Sequence, residues 1–348
     1  MTYLLGVDAG ETKTIAIVAN EDGQILGCGR AACGSIYRGW SPKGALGELD
    51  KAVLTALSAA KVNRHQLAAG GFNMAGAVWP EDVDLLRSHL VRRHFGKEIA
   101  VVFDAFGALR ARSPDGTGVA VVCGTGDATC ARSPSGRTWH SSYWQRTGGA
   151  HELALAAIEA VYRSELGLTP PTDLTQPVLD YYEQPNVEAL LHAFTRRASM
   201  FERFVNRLNL MRRFTQRVAG KPKRVDGLCP IVFDVACSGD EVAAGIIRNH
   251  GAALGDYALV AARKTGMDMC GFNLVLAGGV LHHPSHLLAD AVVSRVRQEF
   301  PRIEVIDAGF EPVVGALMLA MDLAEIPSSD PVLANLKRTA PQSALFSP

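Results

Sequence analysis

One short segment, Asp8-Ala9-Gly10-Glu11-Thr12-Lys13-Thr14, gathers the groups most suited to chemistry. A tight turn of this composition offers backbone N–H groups, hydroxyls and an ammonium to an anion, and a carboxylate to a hydrated metal. It is not a P-loop, because GxxxxGK[ST] is absent and a strand follows where a helix would start. Two more glycine-rich segments, Gly124-Thr125-Gly126 and Gly278-Gly279, each close an apolar run. Glycine lets a backbone approach a ligand with no Cβ in the way. Asp104 closes the apolar run Ile99-Ala100-Val101-Val102-Phe103, at the strand end where α/β sheets place ligands. On position alone it reads equally as a general base and as the N-cap of a helix over 105–112.

The surrounding periodicity predicts the elements that carry these groups. Strands are expected at 3–7, 15–19 and 24–28, the first two forming a hairpin around the Asp8–Thr14 turn. A helix over 42–61 follows, with Ser41 as N-cap and Pro42 in the first turn. A buried strand over 68–74 leads into Ala75-Gly76-Ala77, which allows a close loop, then a helix over 80–95 and the strand before Asp104. Ser113-Pro114-Asp115-Gly116 is a turn and a domain boundary. The pattern then restarts with strands at 118–123, 128–132 and 138–142, an echo of the opening meander. Helices are expected over 150–166, 186–218, 239–265 and 289–300, with a late strand at 303–306. Strands followed by alternating β and α segments indicate α/β lobes. The division is a first lobe at 1–112, a second at 113–326, and a tail at 327–348 that packs back on the first lobe or frays.

Taken in order, these segments resemble those of the actin-like ATPase and sugar kinase superfamily. More narrowly, the chain is similar to the BadF/BadG/BcrA/BcrD ATPase family, on the branch that holds N-acetylglucosamine kinases. Asp8-x-Gly10-x-Thr12-Lys13-Thr14 resembles the first phosphate loop, and Asp104-Ala105 the pair that carries the catalytic base. Gly118 to Gly126 resembles the second phosphate loop, Leu274 to Val280 the adenosine loop, and Glu311-Pro312-Val313-Val314-Gly315-Ala316 the closing helix start. The resemblance spans residues 1–326. It implies two ribonuclease H-like lobes, each with a mixed five-stranded sheet, meeting at a cleft that binds ATP and Mg²⁺. Thr12, Lys13 and Thr14 would then hold phosphates, with Gly10 shaping their turn, and Asp8 would hold Mg²⁺ through water. Gly124, Thr125 and Gly126 would close on the phosphates, Gly278 and Gly279 would admit the adenosine, and Asp104 would act as base. A homodimer is a further implication.

Several positions depart from the family's pattern. Glu11 and Asp127 add carboxylates beside the phosphate loops, and Gly149 stands where a sugar-binding aspartate is usual. The segment Cys33-Gly34-Ser35-Ile36-Tyr37 lacks the usual sugar-contacting asparagine. Gly76, Arg146, His151 and Glu152 are candidates for substrate contact; the last three read equally as polar residues at a helix start.

The 348-residue chain has 35 basic and 35 acidic residues, so no overall field draws it to nucleic acid or a membrane. It carries seven cysteines, with no CxxC pair, which reads as free thiols in a reducing cytoplasm. Asp8 interrupts the early apolar stretch, against a signal peptide. Between Arg196 and Arg224 many cations face one acid, Glu202; Phe201, Phe204, Leu208 and Met211 fall at helical spacing, a basic amphipathic face or a dimer contact. The loop His282-His283-Pro284-Ser285-His286 lacks acidic or thiol partners at metal-binding spacing. Three functions follow: a kinase for a sugar, amino sugar or related polyol; an ATPase that drives a protein partner; or a binding protein that has lost turnover.

Overall fold

The computed structural model describes residues 1–348 apart from 38–40, 114, 196–214, 219–220, 268–270, 307–308, 342–344 and 346–348. The first sheet is built from β1 (Tyr3–Ala9), β2 (Thr14–Asn20), β3 (Ile25–Ala31), β4 (Leu67–Met74) and β5 (Glu98–Phe103), in the order β3-β2-β1-β4-β5. The meander β1-β2-β3 is antiparallel, and β4 and β5 add on in parallel. Every residue of β2 is buried, which a sheet covered on both faces requires. One face carries α1 (Pro42–Ala60) and α2 (Pro80–Arg93); α3 (Ala105–Arg112) leaves the end of β5. Ser41 caps α1 through Gly44, with Pro42 in its first turn, as the sequence predicts.

The second sheet repeats the plan. Its strands are β6 (Gly118–Cys123), β7 (Asp127–Arg132) and β8 (Thr138–His140); after a ribbon of β9 (Thr215–Val218) and β10 (Lys221–Arg224) come β11 (Asn273–Ala277) and β12 (Glu304–Ile306). The order β12-β11-β6-β7-β8 mirrors the first, again with an antiparallel meander and two parallel additions. Its helices are α4 (Ala150–Glu165), α5 (Thr175–Tyr182), α6 (Val187–Thr195), α7 (Cys229–Cys237), α8 (Glu241–Thr265) and α9 (Leu287–Arg297). The expected fold class, α/β with two mixed five-stranded sheets, is the one observed.

Two expectations change. A single helix over 186–218 does not form: α6 is described over Val187–Thr195, and 215–218 pairs with 221–224 as an antiparallel ribbon. β-branched Thr215 and Val218 favour strand, and Pro222 disfavours a helix interior. Most of the basic stretch, including Phe201, Phe204, Leu208 and Met211, lies outside the described residues. The second lobe also does not keep everything up to 326. Helices α10 (Pro312–Leu323) and α11 (Asp330–Thr339) cover the other face of the first sheet, where Val313, Leu317, Met321 and Leu336 pack with Leu4, Ile15 and Ile17. A Cβ on Gly6 would lie 2.6 Å from the Leu317 nitrogen and one on Gly71 2.0 Å from the Ala316 oxygen, so α10 sits directly on the strands. The lobes join where Phe103, Ala105 and Leu109 pack with Ala120, Cys130 and Val275. Among the described residues no helix is long and apolar enough to cross a membrane.

Candidate nucleotide and acceptor site

Asp8 lies near the end of β1, Asp104 directly after β5, Gly124 after β6 and Gly278 after β11. All four therefore stand at C-terminal ends of mutually parallel strands in two equivalent sheets, where this architecture binds ligands. The two phosphate-loop candidates approach each other: a Cβ on Gly126 would lie 3.7 Å from Glu11 Oε2.

The first loop is a closed turn in which Gly10 N donates to the Lys13 carbonyl at 2.9 Å. Thr12 at its tip is exposed and Lys13 half-buried. Burial, then the Arg30 guanidinium, lower the Lys13 ammonium pKa, while Glu311 and Asp8 raise it. Thr14 is fully buried and its hydroxyl donates to the Ala32 carbonyl at 2.9 Å, a bond that fixes the meander. Strand phase is the reason, since β2 begins at Thr14 and opposes Ala9 and Ala31.

Carboxylates crowd this region. Burial, then Asp104 and Glu311, push Asp8 up to about 7, with Lys13 acting the other way. Burial, then Glu11, push Asp104 up to about 6, against the Ala105 amide and its own. Asp104 heads α3 with helical dihedrals and makes no side-chain capping bond, so the N-cap reading does not hold. Its Oδ1 is buried without a hydrogen-bond partner, which a site filled by an acceptor hydroxyl would correct. Glu311, part of a recognised motif yet given no role from sequence, enters because Asn73 Nδ2 donates to the Pro312 carbonyl at 2.9 Å, and Asn73 pairs with Asp8 between β4 and β1. Only strand register brings them together.

In the second loop Gly124 N donates to the Gly126 carbonyl at 2.8 Å. Thr125 and Gly126 are exposed, and a Cβ on Gly124 would meet nothing within 4 Å. Gly149 supports this loop from behind: a Cβ there would fall 2.5–2.7 Å from the carbonyls of Gly124, Thr125 and Gly126, while Ala150 N donates to Gly124 O. Position 149 is thus a packing contact with no room for an aspartate. Asp127 does not confront a phosphate unpaired, since Gln145 Nε2 donates to it at 2.6 Å and the Thr147 hydroxyl also bonds it. Burial raises the Asp127 pKa; Thr147, Gln145 and His250 lower it. Glu152 accepts from Gly149 N at 2.9 Å and so caps α4. Gly76 is buried against Ile36. Arg146 is exposed, with its backbone N–H on Tyr257 Oη; His151 is half-buried in the first turn of α4. Gly278 adopts φ +96°, and a Cβ there would lie 2.3 Å from the Cys123 oxygen, so it joins the adenosine-loop candidate to the second phosphate loop. Gly279 is exposed, with open space where a Cβ would stand.

The open backbone at Gly124 and Gly279 and the carboxylates Asp8 and Asp104, whose pKa values burial and then neighbouring carboxylates raise, fit a magnesium–nucleotide complex. Among the described residues no three His, Cys, Asp or Glu side chains are grouped to cage a metal; Mg²⁺ bound to nucleotide needs few protein ligands and keeps several waters.

Comparison with known proteins points the same way. The chain is 23% identical over 333 residues to the N-acetyl-D-glucosamine kinase of Dictyostelium discoideum, covering 91% of this chain and 97% of that protein. It is 22% identical over 332 residues to the N-acetylmuramic acid/N-acetylglucosamine kinase of Clostridium acetobutylicum, covering 92% and 98%. A crystal structure of a Chromobacterium violaceum protein shares the fold, with TM-score 0.62 and 20% identity over 92% of this chain and 99% of that one. The family model for BadF/BadG/BcrA/BcrD ATPases matches residues 5–320, and the chain belongs to that family.

Proposed function

We propose that the protein is an ATP-dependent kinase that phosphorylates a hydroxyl of a sugar or amino sugar, working in the cytoplasm as a homodimer. The buried, unpartnered Oδ1 of Asp104 beside the Asp8–Lys13 turn carries this reading. Similarity along almost the whole chain to two amino-sugar kinases supports it. Free thiols at all six described cysteines favour a reducing compartment.

Magnesium–ATP supplies the transferable phosphoryl group when bound. Thr12 and Lys13 would hold its phosphates from the first lobe, and the amides of Thr125 and Gly126 from the second. Asp8 would hold the metal, with Glu311 adding negative charge nearby. Gly278 and Gly279 would admit the adenosine. Asp104 accepts the hydroxyl proton of the acceptor or aligns that hydroxyl, which suffices because phosphoryl transfer depends chiefly on positioning and charge.

The test is ADP release with N-acetylglucosamine, N-acetylmuramic acid, glucose and anhydrosugars as acceptors, beside thermal shifts with Mg-ATP and light scattering for the dimer. Acceptor-dependent ADP release supports the kinase. Acceptor-independent hydrolysis points to an ATPase that drives a protein partner. Absence of any nucleotide shift at millimolar ATP points to a binding protein without turnover.

A further inference from the structure

Asn73 is a polar residue in the middle of a buried sheet, and the chemistry described so far gives it no part. The parallel pair β1–β4 sets it beside Asp8, and the pair β4–β5 sets it beside Val102, two residues before Asp104. Its side chain is fully buried. Nδ2 donates to the Pro312 carbonyl at 2.9 Å, while Oδ1 is buried with no hydrogen-bond partner among the described residues. Packing alone would be served better by an apolar residue, since a buried amide left half unpaired is unfavourable.

Two helices meet over this amide, and glycine makes both contacts. A Cβ on Gly107 of α3 would lie 1.7 Å from Asn73 Nδ2, and one on Gly315 of α10 would lie 2.0 Å from the Gly107 carbonyl oxygen. Each helix thus omits a side chain where it touches the other or the amide, at a cost in helix propensity. Asp104 stands three residues before Gly107, and Glu311 four before Gly315. The contact therefore lies one helical turn behind both carboxylates. Gly107 N donates to the Asp104 carbonyl at 2.9 Å and Val314 N to the Glu311 carbonyl at 2.9 Å, which ties each carboxylate-bearing residue to that turn. After burial, Asp104 and then Glu311 raise the Asp8 pKa, so the three carboxylates share one neighbourhood.

We infer that Asn73 is a positioning residue for phosphoryl transfer: it braces the first turns of α3 and α10 against β4 and so fixes Asp104 and Glu311 relative to Asp8. It acts through the two helices and not on a reacting atom. Such a brace bears on rate because a displacement of about 1 Å at the reacting groups can cost about 10²-fold. The inference rests on the kinase reading for the rate it controls, but not for the brace itself.

Asn73→Leu keeps the volume and removes the N–H. With N-acetylglucosamine as acceptor, well below the unfolding temperature, it should lower the kcat of ADP release about 10- to 100-fold and leave the KM for ATP and for the sugar within about twofold. ATP affinity persists because the loops at Gly124 and Gly278 stand on the other sheet. Amide hydrogen exchange is the second readout: α3 and α10 should exchange severalfold faster in the variant, with α1 unchanged. Asn73→Ala, which adds no bulk against Gly107, carries both measurements if the leucine variant does not fold. Faster exchange in α3 and α10 beside a wild type that releases no ADP with any acceptor would sink the kinase and keep the brace. An unchanged kcat, a loss that only follows the folded fraction, or unchanged exchange in both helices would each overturn the inference.

Discussion

Burial raises the pKa values of Asp104 and Asp8, helped by Glu11 for Asp104 and by Asp104 and Glu311 for Asp8, which ties stability, and on the base reading of Asp104 also rate, to pH. For Asp104 the decisive substitution is Asn, which keeps shape and removes basicity. A positioned general base contributes about 10²–10⁴-fold, so Asp104→Asn should lower kcat by that factor while the thermal shift with Mg-ATP persists. Because Asp104 makes no capping bond and burial disfavours its ionised form, the Asn variant should be at least as stable as the wild type at neutral pH, with any gain vanishing toward about pH 4. Full turnover in this variant would remove the base. The pH dependence follows from the raised values. The base must be ionised, so kcat/KM should rise with pH through about 6 and then level. Stability without ligand runs the other way. Asp8 at about 7 and Asp104 at about 6 bind protons in the folded chain that the unfolded chain, near 3.8, has lost. Stability should therefore fall as pH rises from about 4 to about 7, since the folded state binds more protons there. Urea unfolding at a series of pH values checks this, and saturating Mg-ATP should flatten the fall by favouring the ionised forms.

At the scale of the element, the phosphate-side loops depend on backbone approach more than on side chains. Gly278 combines φ +96° with a Cβ position 2.3 Å from a Cys123 carbonyl. Gly278→Ala should cost about 1–3 kcal/mol from strain and overpacking and weaken ATP binding, which thermal unfolding with and without nucleotide separates. These loops were legible because glycine, threonine and lysine in a hairpin turn have few other uses. The roles of Thr14, Asp127 and Gly149 were not. Thr14 differs from Thr12 only in strand phase, which turns its hydroxyl inward to Ala32. Asp127 looks repulsive until Gln145 and Thr147, eighteen and twenty residues on, bond it. Gly149 resembles a lost ligand until the second loop's carbonyls are seen against it. Each of these contacts is long-range, which local pattern cannot supply.

Over the whole molecule, the duplicated meander announced two similar sheets, and what covers the second face of the first sheet comes from late in the chain. Helices α10 and α11 return after the second lobe and complete the core of the first sheet. Arg110 on α3, 7% exposed, fixes that return, donating to both Asp322 oxygens at 2.9 Å and to Ser328 Oγ at 3.0 Å. Beyond it, the amide of Ile25 donates to Thr339 Oγ1 at 2.9 Å, and Asn335 Nδ2 to the Asp22 carbonyl at 2.9 Å. These bonds hold the β2–β3 turn, where Gly23 at φ +78° lies under Val332. The proline- and serine-rich composition of 327–348 hides this, because three apolar side chains of α11, Val332, Leu333 and Leu336, suffice to anchor a short segment. Leu336 is the sensitive point, fully buried against the first sheet. Leu336→Ala should destabilise the protein by about 2–5 kcal/mol, the range for a buried leucine that leaves a cavity. The loss should be read in urea unfolding of the full chain. An effect below about 0.5 kcal/mol, within the range of surface substitutions, would mean that the tail frays. If the tail holds, nucleotide affinity should also fall when it is weakened, because β3 carries Arg30, and Arg30 lies beside Lys13 while its Nη1 donates to the Leu345 carbonyl at 3.3 Å.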